Sequence, residues 1–185
     1  LMNSSRSANF LLIFSANFFV NVVVPFYLQN ARGLTASYAG LLMMVFPFLM
    51  VIGSPLSGYL TDKIGPQRLV LLGLTLLSIA QLLYVFMNQT SPIWYYVLAT
   101  AIMGFGNALF QSPNNTIVMS SVEKDNLGVA GSMNSFARNL GMVIGIALAT
   151  TILYSGMTVA YGQRVTTYIE GRPDIFIFGM RVTFI

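Results

Sequence analysis

Hydrophobic positions in this chain fall in long, nearly unbroken runs. They show neither the two-residue alternation of a half-buried strand nor the narrow stripe of a surface helix. Five runs, at residues 10–28, 40–60, 69–87, 93–119 and 128–154, are each long enough to cross about 30 Å of hydrocarbon at 1.5 Å per residue. A sixth begins near Phe176 or Gly179 and is cut short. The connections at 29–39, 61–68, 88–92 and 120–127 are short, and that at 155–174 is longer. Short links favour antiparallel neighbours, so the pattern predicts an all-α, polytopic transmembrane helical bundle with five complete spans and the start of a sixth. The chain opens Leu1-Met2-Asn3 and stops at Val182-Thr183-Phe184-Ile185, in what reads as a first helical turn; an excerpt of a longer protein is expected.

The polar residues inside these runs are ordered. In the first span Asn17, Asn21 and Pro25 recur every four residues and share a helical face, with Phe18 beside them. In the fourth, Met103, Asn107, Gln111 and Asn115 form a second stripe. Single membrane amides often serve only as glue between helices, worth about 0.6 kcal/mol each. Two polar faces on spans so far apart in sequence are instead what helices bordering one wet cavity would show. The third span is apolar nearly all round, apart from Thr75, Ser78 and Gln81, and is expected to face lipid. In the fifth, Ala137, Gly141, Gly145 and Ala149 make a small-residue ridge beside Asn134 and Arg138. Arg138 either lies deep in a helix starting at Gly128, facing protein or water, or snorkels to the headgroups from a helix starting near Ser132.

Composition narrows the chemistry. Of 185 residues, 56% are hydrophobic and 8% charged, with a mean hydropathy of +0.74; an ordinary soluble domain carries about 25% charge. The net charge of +4 comes from nine scattered Lys and Arg, so no nucleic-acid surface is implied. Without Cys or His there are no disulfides, no thiolate chemistry and none of the commonest metal ligands, and no cofactor is expected. All five acids, Asp62, Glu123, Asp125, Glu170 and Asp174, fall in loops or at span ends, leaving no carboxylate placed as an intramembrane proton carrier.

The most specific feature is the loop from Gly58 through Asp62 to Arg68. A carboxylate at Asp62, read as just preceding the third helix, would cap free N–H groups and meet the positive end of the dipole. Gly58 would let two helix ends approach closely. Gly58, Leu60, Asp62, Lys63, Gly65 and Arg68 match the spacing of the loop signature of the major facilitator superfamily, with Gln67 where that signature usually has a cation. A second stretch resembles the fourteen-span drug:proton antiporters of the same superfamily: Gly104-Phe105-Gly106, Pro113-Asn114, Gly128, Gly131, Arg138-Asn139-Leu140-Gly141 and Gly145.

The resemblance implies most of a C-terminal six-helix half, completed by a missing N-terminal half of the same transporter and embedded in the lipid bilayer of the cell membrane. It implies alternating access around a midplane site, with the first, second, fourth and fifth spans lining the cavity and the loop 61–68 in the cytoplasm. Residues expected to meet a small lipophilic substrate are Asn17, Phe18, Asn21, Met103, Asn107, Gln111, Asn115 and Arg138; Gly58, Asp62, Lys63, Gly65 and Arg68 are expected to latch one state. An intramembrane enzyme finds no support, since no G-x-S-x-G, H-E-x-x-H or paired membrane aspartates occur. A metabolite or sugar facilitator and a non-transporting membrane receptor remain as alternatives.

Overall fold

The computed structural model describes Val20 and residues 23–120, 122–123, 126–169 and 172–184, the side chain of Phe184 excepted. Among the described residues there is no strand; the order is a π-helical turn (Tyr27–Ala31) and then α1 (Ala36–Met43), α2 (Val45–Ile64), α3 (Pro66–Val85), α4 (Ile93–Ser120), α5 (Leu127–Tyr161) and α6 (Pro173–Phe184). Joined α1–α2 (Ala36–Ile64), α3, α4 and α5 are each long and apolar enough to cross a membrane. Most of the first predicted span lies outside the described residues.

Boundaries follow local chemistry. Helix α2 ends at Gly65, whose φ of 84° suits a residue without a side chain and whose N–H closes on Thr61 O at 3.1 Å. Helix α3 starts on Pro66, where the absent N–H is one that the helix would leave free anyway. Helix α5 runs seven residues past the predicted end at Tyr154, and Gly162 ends it by turning the chain at φ 79°.

The chain divides into two compact units. One comprises Gly40–Tyr84 and Ser91–Asn134. At its centre is α4, half of whose most apolar stretch is buried, against 17% for α1–α2 and 28% for α3. Glycines set its packing. A Cβ on Gly73 of α3 would lie 2.7 Å from Phe110 N and 2.9 Å from Gly106 O of α4. Likewise a Cβ on Gly104 of α4 would meet Phe46 O at 2.6 Å, and one on Gly53 of α2 would meet Ala108 Cβ at 2.8 Å. Small residues let backbones touch where lipid offers no hydrophobic drive for association. A buried hydrogen bond of 2.8 Å between the Tyr84 and Thr100 hydroxyls adds to the α3–α4 contact.

The other unit comprises Leu1–Ala39, Val85–Thr90 and Ser135–Ile185. Within it Gly156 of α5 and Gly179 of α6 sit backbone to backbone; a Cβ on Gly179 would be 2.6 Å from Leu153 O. The ridge expected on the fifth span lies on this side: Gly141, Gly145 and Ala149 are all buried.

Candidate functional site

The loop signature begins in a helix. Gly58 is not where two helix ends close up, since a Cβ there would find nothing within 4 Å. Asp62 is likewise not a cap for the third helix: it lies exposed in the last turn of α2, and α3 has no acid in its first turn. The helix keeps its ladder through Ile64, so the carboxylate sits at the negative end of one dipole instead of the positive end of the next. Lys63 is the residue that suits this end, and its Nζ stands 4.6 Å over the Tyr59 ring. Among the described residues none of Asp62, Lys63 and Arg68 joins an ion pair. Gly65 makes the turn, and with Ile64, Pro66, Gln67 and Arg68 it borders an open depression of about 420 Å³.

On α4 the predicted stripe divides. Met103 is 1% exposed and belongs to the core of its unit, whereas Asn107, Gln111 and Asn115 are half-buried. The Asn115 Oδ1 accepts a 2.9 Å hydrogen bond from Asn134 Nδ2, which joins α4 to the first turns of α5. Thr75 and Ser78 of α3 are exposed and donate to carbonyls of their own helix, Leu71 O at 2.9 Å and Leu74 O at 3.0 Å. Arg138 is half-buried, and because α5 starts at Leu127 it stands about 16 Å along that helix. Asn17, Phe18 and Asn21 lie outside the described residues.

A polar clasp in the other unit escaped the sequence reading. Tyr27 Oη donates to Asn88 O at 2.7 Å, Arg32 to Gln89 O, and the Arg181 guanidinium of α6 to the Asn88 side-chain oxygen. Tyr168 Oη donates to Asn30 O at 2.9 Å and packs edge-on against Phe176. Two arginines and two tyrosines near span ends were the available signal, but periodicity does not say which loop a long side chain reaches.

Comparison with known proteins decides the family. The Major Facilitator Superfamily model matches residues 7–164, most of the chain. The chain belongs to the Major Facilitator Superfamily. Relatives in that superfamily are named as membrane transporters, not as enzymes. It is 28% identical over 149 residues to the riboflavin transporter RibZ of Clostridioides difficile, covering 80% of this chain and 32% of that protein. It is 32% identical over 146 residues to the multidrug resistance protein Stp of Mycobacterium tuberculosis, covering 79% of this chain and 27% of that protein. The tetracycline resistance determinant of Streptomyces rimosus is 28% identical over 166 residues, covering 85% and 47% respectively. The chain thus spans from about a quarter to about half the length of these superfamily relatives.

Proposed function

We propose that this chain is most of the second half of a cell-membrane transporter that moves small molecules by alternating access, and that the whole protein exports lipophilic drugs in exchange for protons. The observation that carries the reading is the polar face of α4, where Asn107 and Gln111 stay half-open on the most buried helix of its unit. Amides held in a span are costly unless they meet protein, water or cargo. Similarity to a multidrug resistance protein and a tetracycline resistance determinant supports the drug branch. In this reading Asn17, Phe18, Asn21, Met103, Asn107, Gln111, Asn115 and Arg138 serve the substrate, Met103 from behind and Asn115 through its bond to Asn134. Gly58, Asp62, Lys63, Gly65 and Arg68 serve the change of state at the cytoplasmic surface. The coupling acid lies in the other half. A second reading, a metabolite carrier, draws on the riboflavin transporter.

The test uses the full-length protein in vesicles with single cysteines. Those at Asn107 and Gln111 should react with a water-soluble thiol reagent and be slowed by a lipophilic dye that the protein extrudes as protons enter; those at Thr75 and Ser78 should stay unreactive. Equal reactivity of the two sets sinks the cavity assignment. Dye movement indifferent to the proton gradient sinks exchange and favours the metabolite carrier.

A further inference from the structure

One cross-helix bond in the unit centred on α4 leaves unused chemistry at its two ends. Asn134 Nδ2 donates to Asn115 Oδ1 at 2.9 Å, and both residues are half-buried. An amide carries two N–H donors and a carbonyl with two lone pairs, so a single bond between two amides leaves a carbonyl on one and N–H groups on the other. Here these are Asn134 Oδ1 and Asn115 Nδ2, and exchanging donor and acceptor would leave the same inventory. Among the described residues neither atom is sealed without a partner, as Asn114 Nδ2 is one residue away on α4. The two spare groups lie within about 7.5 Å of each other, since the oxygen and nitrogen of one amide are about 2.2 Å apart.

The pair sits on an open line. A Cβ on Gly131 would meet Met119 Cε at 3.4 Å, so residue numbers fall on α5 as they rise on α4, and the two helices are antiparallel here. Asn115 stands about 7.5 Å from the end of α4 at Ser120. Back along the same face of α4, Gln111 and Asn107 follow in one-turn steps of about 6 Å, both half-buried, while Ala108, Leu109, Phe110, Pro113 and Asn114 beside them are buried. From Ile93 to Ser120 and from Leu127 to Asn134 there is no Asp, Glu, Lys or Arg. A charged group would therefore find no counter-charge on these helix segments, and an ion taken out of water without one is costly. A neutral group with a carbonyl beside an N–H would use both spare functions at once.

We propose that Asn115 and Asn134 form a substrate subsite that reads a neutral amide or imide edge: the substrate N–H donates to Asn134 Oδ1, and the substrate carbonyl accepts from Asn115 Nδ2. The inference rests on the transport reading above and deepens it by naming a substrate class. A lipophilic compound with one such edge meets the description.

The probes are a lipophilic naphthalimide fluorophore with a free imide N–H and the same fluorophore methylated at that nitrogen. Binding to the purified full-length protein is followed by fluorescence anisotropy for the parent, Asn134→Leu and Asn115→Leu. The parent should bind the free imide about two- to tenfold more tightly than the methylated form, the effect of one hydrogen bond. Asn134→Leu should weaken the free imide to the level of the methylated one, because the acceptor for its N–H is gone. Asn115→Leu should weaken both, because both keep their carbonyls. A pair that merely ties two helices together would instead let Asn134→Leu change the two probes alike. No preference in the parent, a preference that survives Asn134→Leu, unaltered binding of both probes to Asn115→Leu, or failure of either variant to fold overturns the proposal. Movement of the probes in vesicles is read separately: a parent that keeps the binding preference but moves neither probe refutes the transport reading and supports the subsite.

Discussion

In the unit centred on α4, helices meet through glycines pressed onto neighbouring backbones; in the unit that contains α6, a comparable contact at Gly156 and Gly179 is joined by Tyr27, Arg32, Arg181 and Tyr168 reaching onto loop residues. The difference follows from where each contact lies. Along a membrane helix, lipid tails are as apolar as leucine side chains, so association depends on close van der Waals fit and on the few polar pairs available. At the ends of spans the backbone leaves its own ladder and its free carbonyls become acceptors for long side chains. Cohesion along the spans is therefore steric, and cohesion at the ends is polar.

The largest expected effect breaks the steric side of this contrast. Gly73→Leu should destabilise the full-length protein by an amount at the top of the roughly 1–3 kcal/mol range for overpacking, because its first side-chain atom already collides with the Phe110 and Gly106 backbone. Gly58→Ala, with nothing within 4 Å, should go the other way and gain up to about 1 kcal/mol of helix propensity. Thermal unfolding in detergent reads both, and similar midpoints for the two would refute the packing account.

A smaller effect sharpens the polar side. Tyr27→Phe removes one donor from Asn88 O and should cost about 0.5–1.5 kcal/mol, seen as faster amide exchange at residues 88–90 in hydrogen–deuterium measurements. Unchanged exchange there would mean that the clasp does not hold that loop.

The smallest effect concerns Arg172 and Asp174, fully exposed beside the start of α6. The Arg172 side-chain hydrogen bond, at 2.9 Å, together with its charge, holds the Asp174 carboxyl below the usual carboxylate range. A depressed carboxylate contributes whatever stability it has above its unfolded pKa and loses it as pH falls through the folded value. Solvent screens so exposed a pair. Arg172→Ala should return Asp174 to the ordinary range in a carboxyl NMR titration while leaving the thermal midpoint at pH 7 unmoved. A clear drop in that midpoint would show that an end contact can matter as much as a packed glycine.

How far the sequence could be read depended on how local the cause was. The second to fifth apolar runs coincide with the helices α1–α2, α3, α4 and α5 to within a few residues, apart from the later end of α5, because a long apolar helix is specified within its own segment. Gly65 was legible as a motif position, and the structure supplies its reason in a positive φ. Asp62 was misplaced by one helix end, since Gly65-Pro66, a helix stop followed at once by a helix start, was read as part of the loop and not as the boundary. Met103 shared a stripe with Asn107 and Gln111, yet only packing shows that Met103 is sealed into its unit while the amides stay half-open. Asn115 and Asn134 were both noticed, but not as partners.

By itself, then, the sequence determined the class: an all-helical membrane chain with short links, a loop of superfamily spacing and polar residues gathered on particular helix faces. These properties follow from hydropathy and helical period, which act within one segment. Tertiary structure alone decided which of the described glycines carry contacts, which amides are paired and which stranded, and which loop the arginines and tyrosines reach. Those outcomes depend on what stands opposite each residue, and helical periodicity specifies a face without specifying its neighbour.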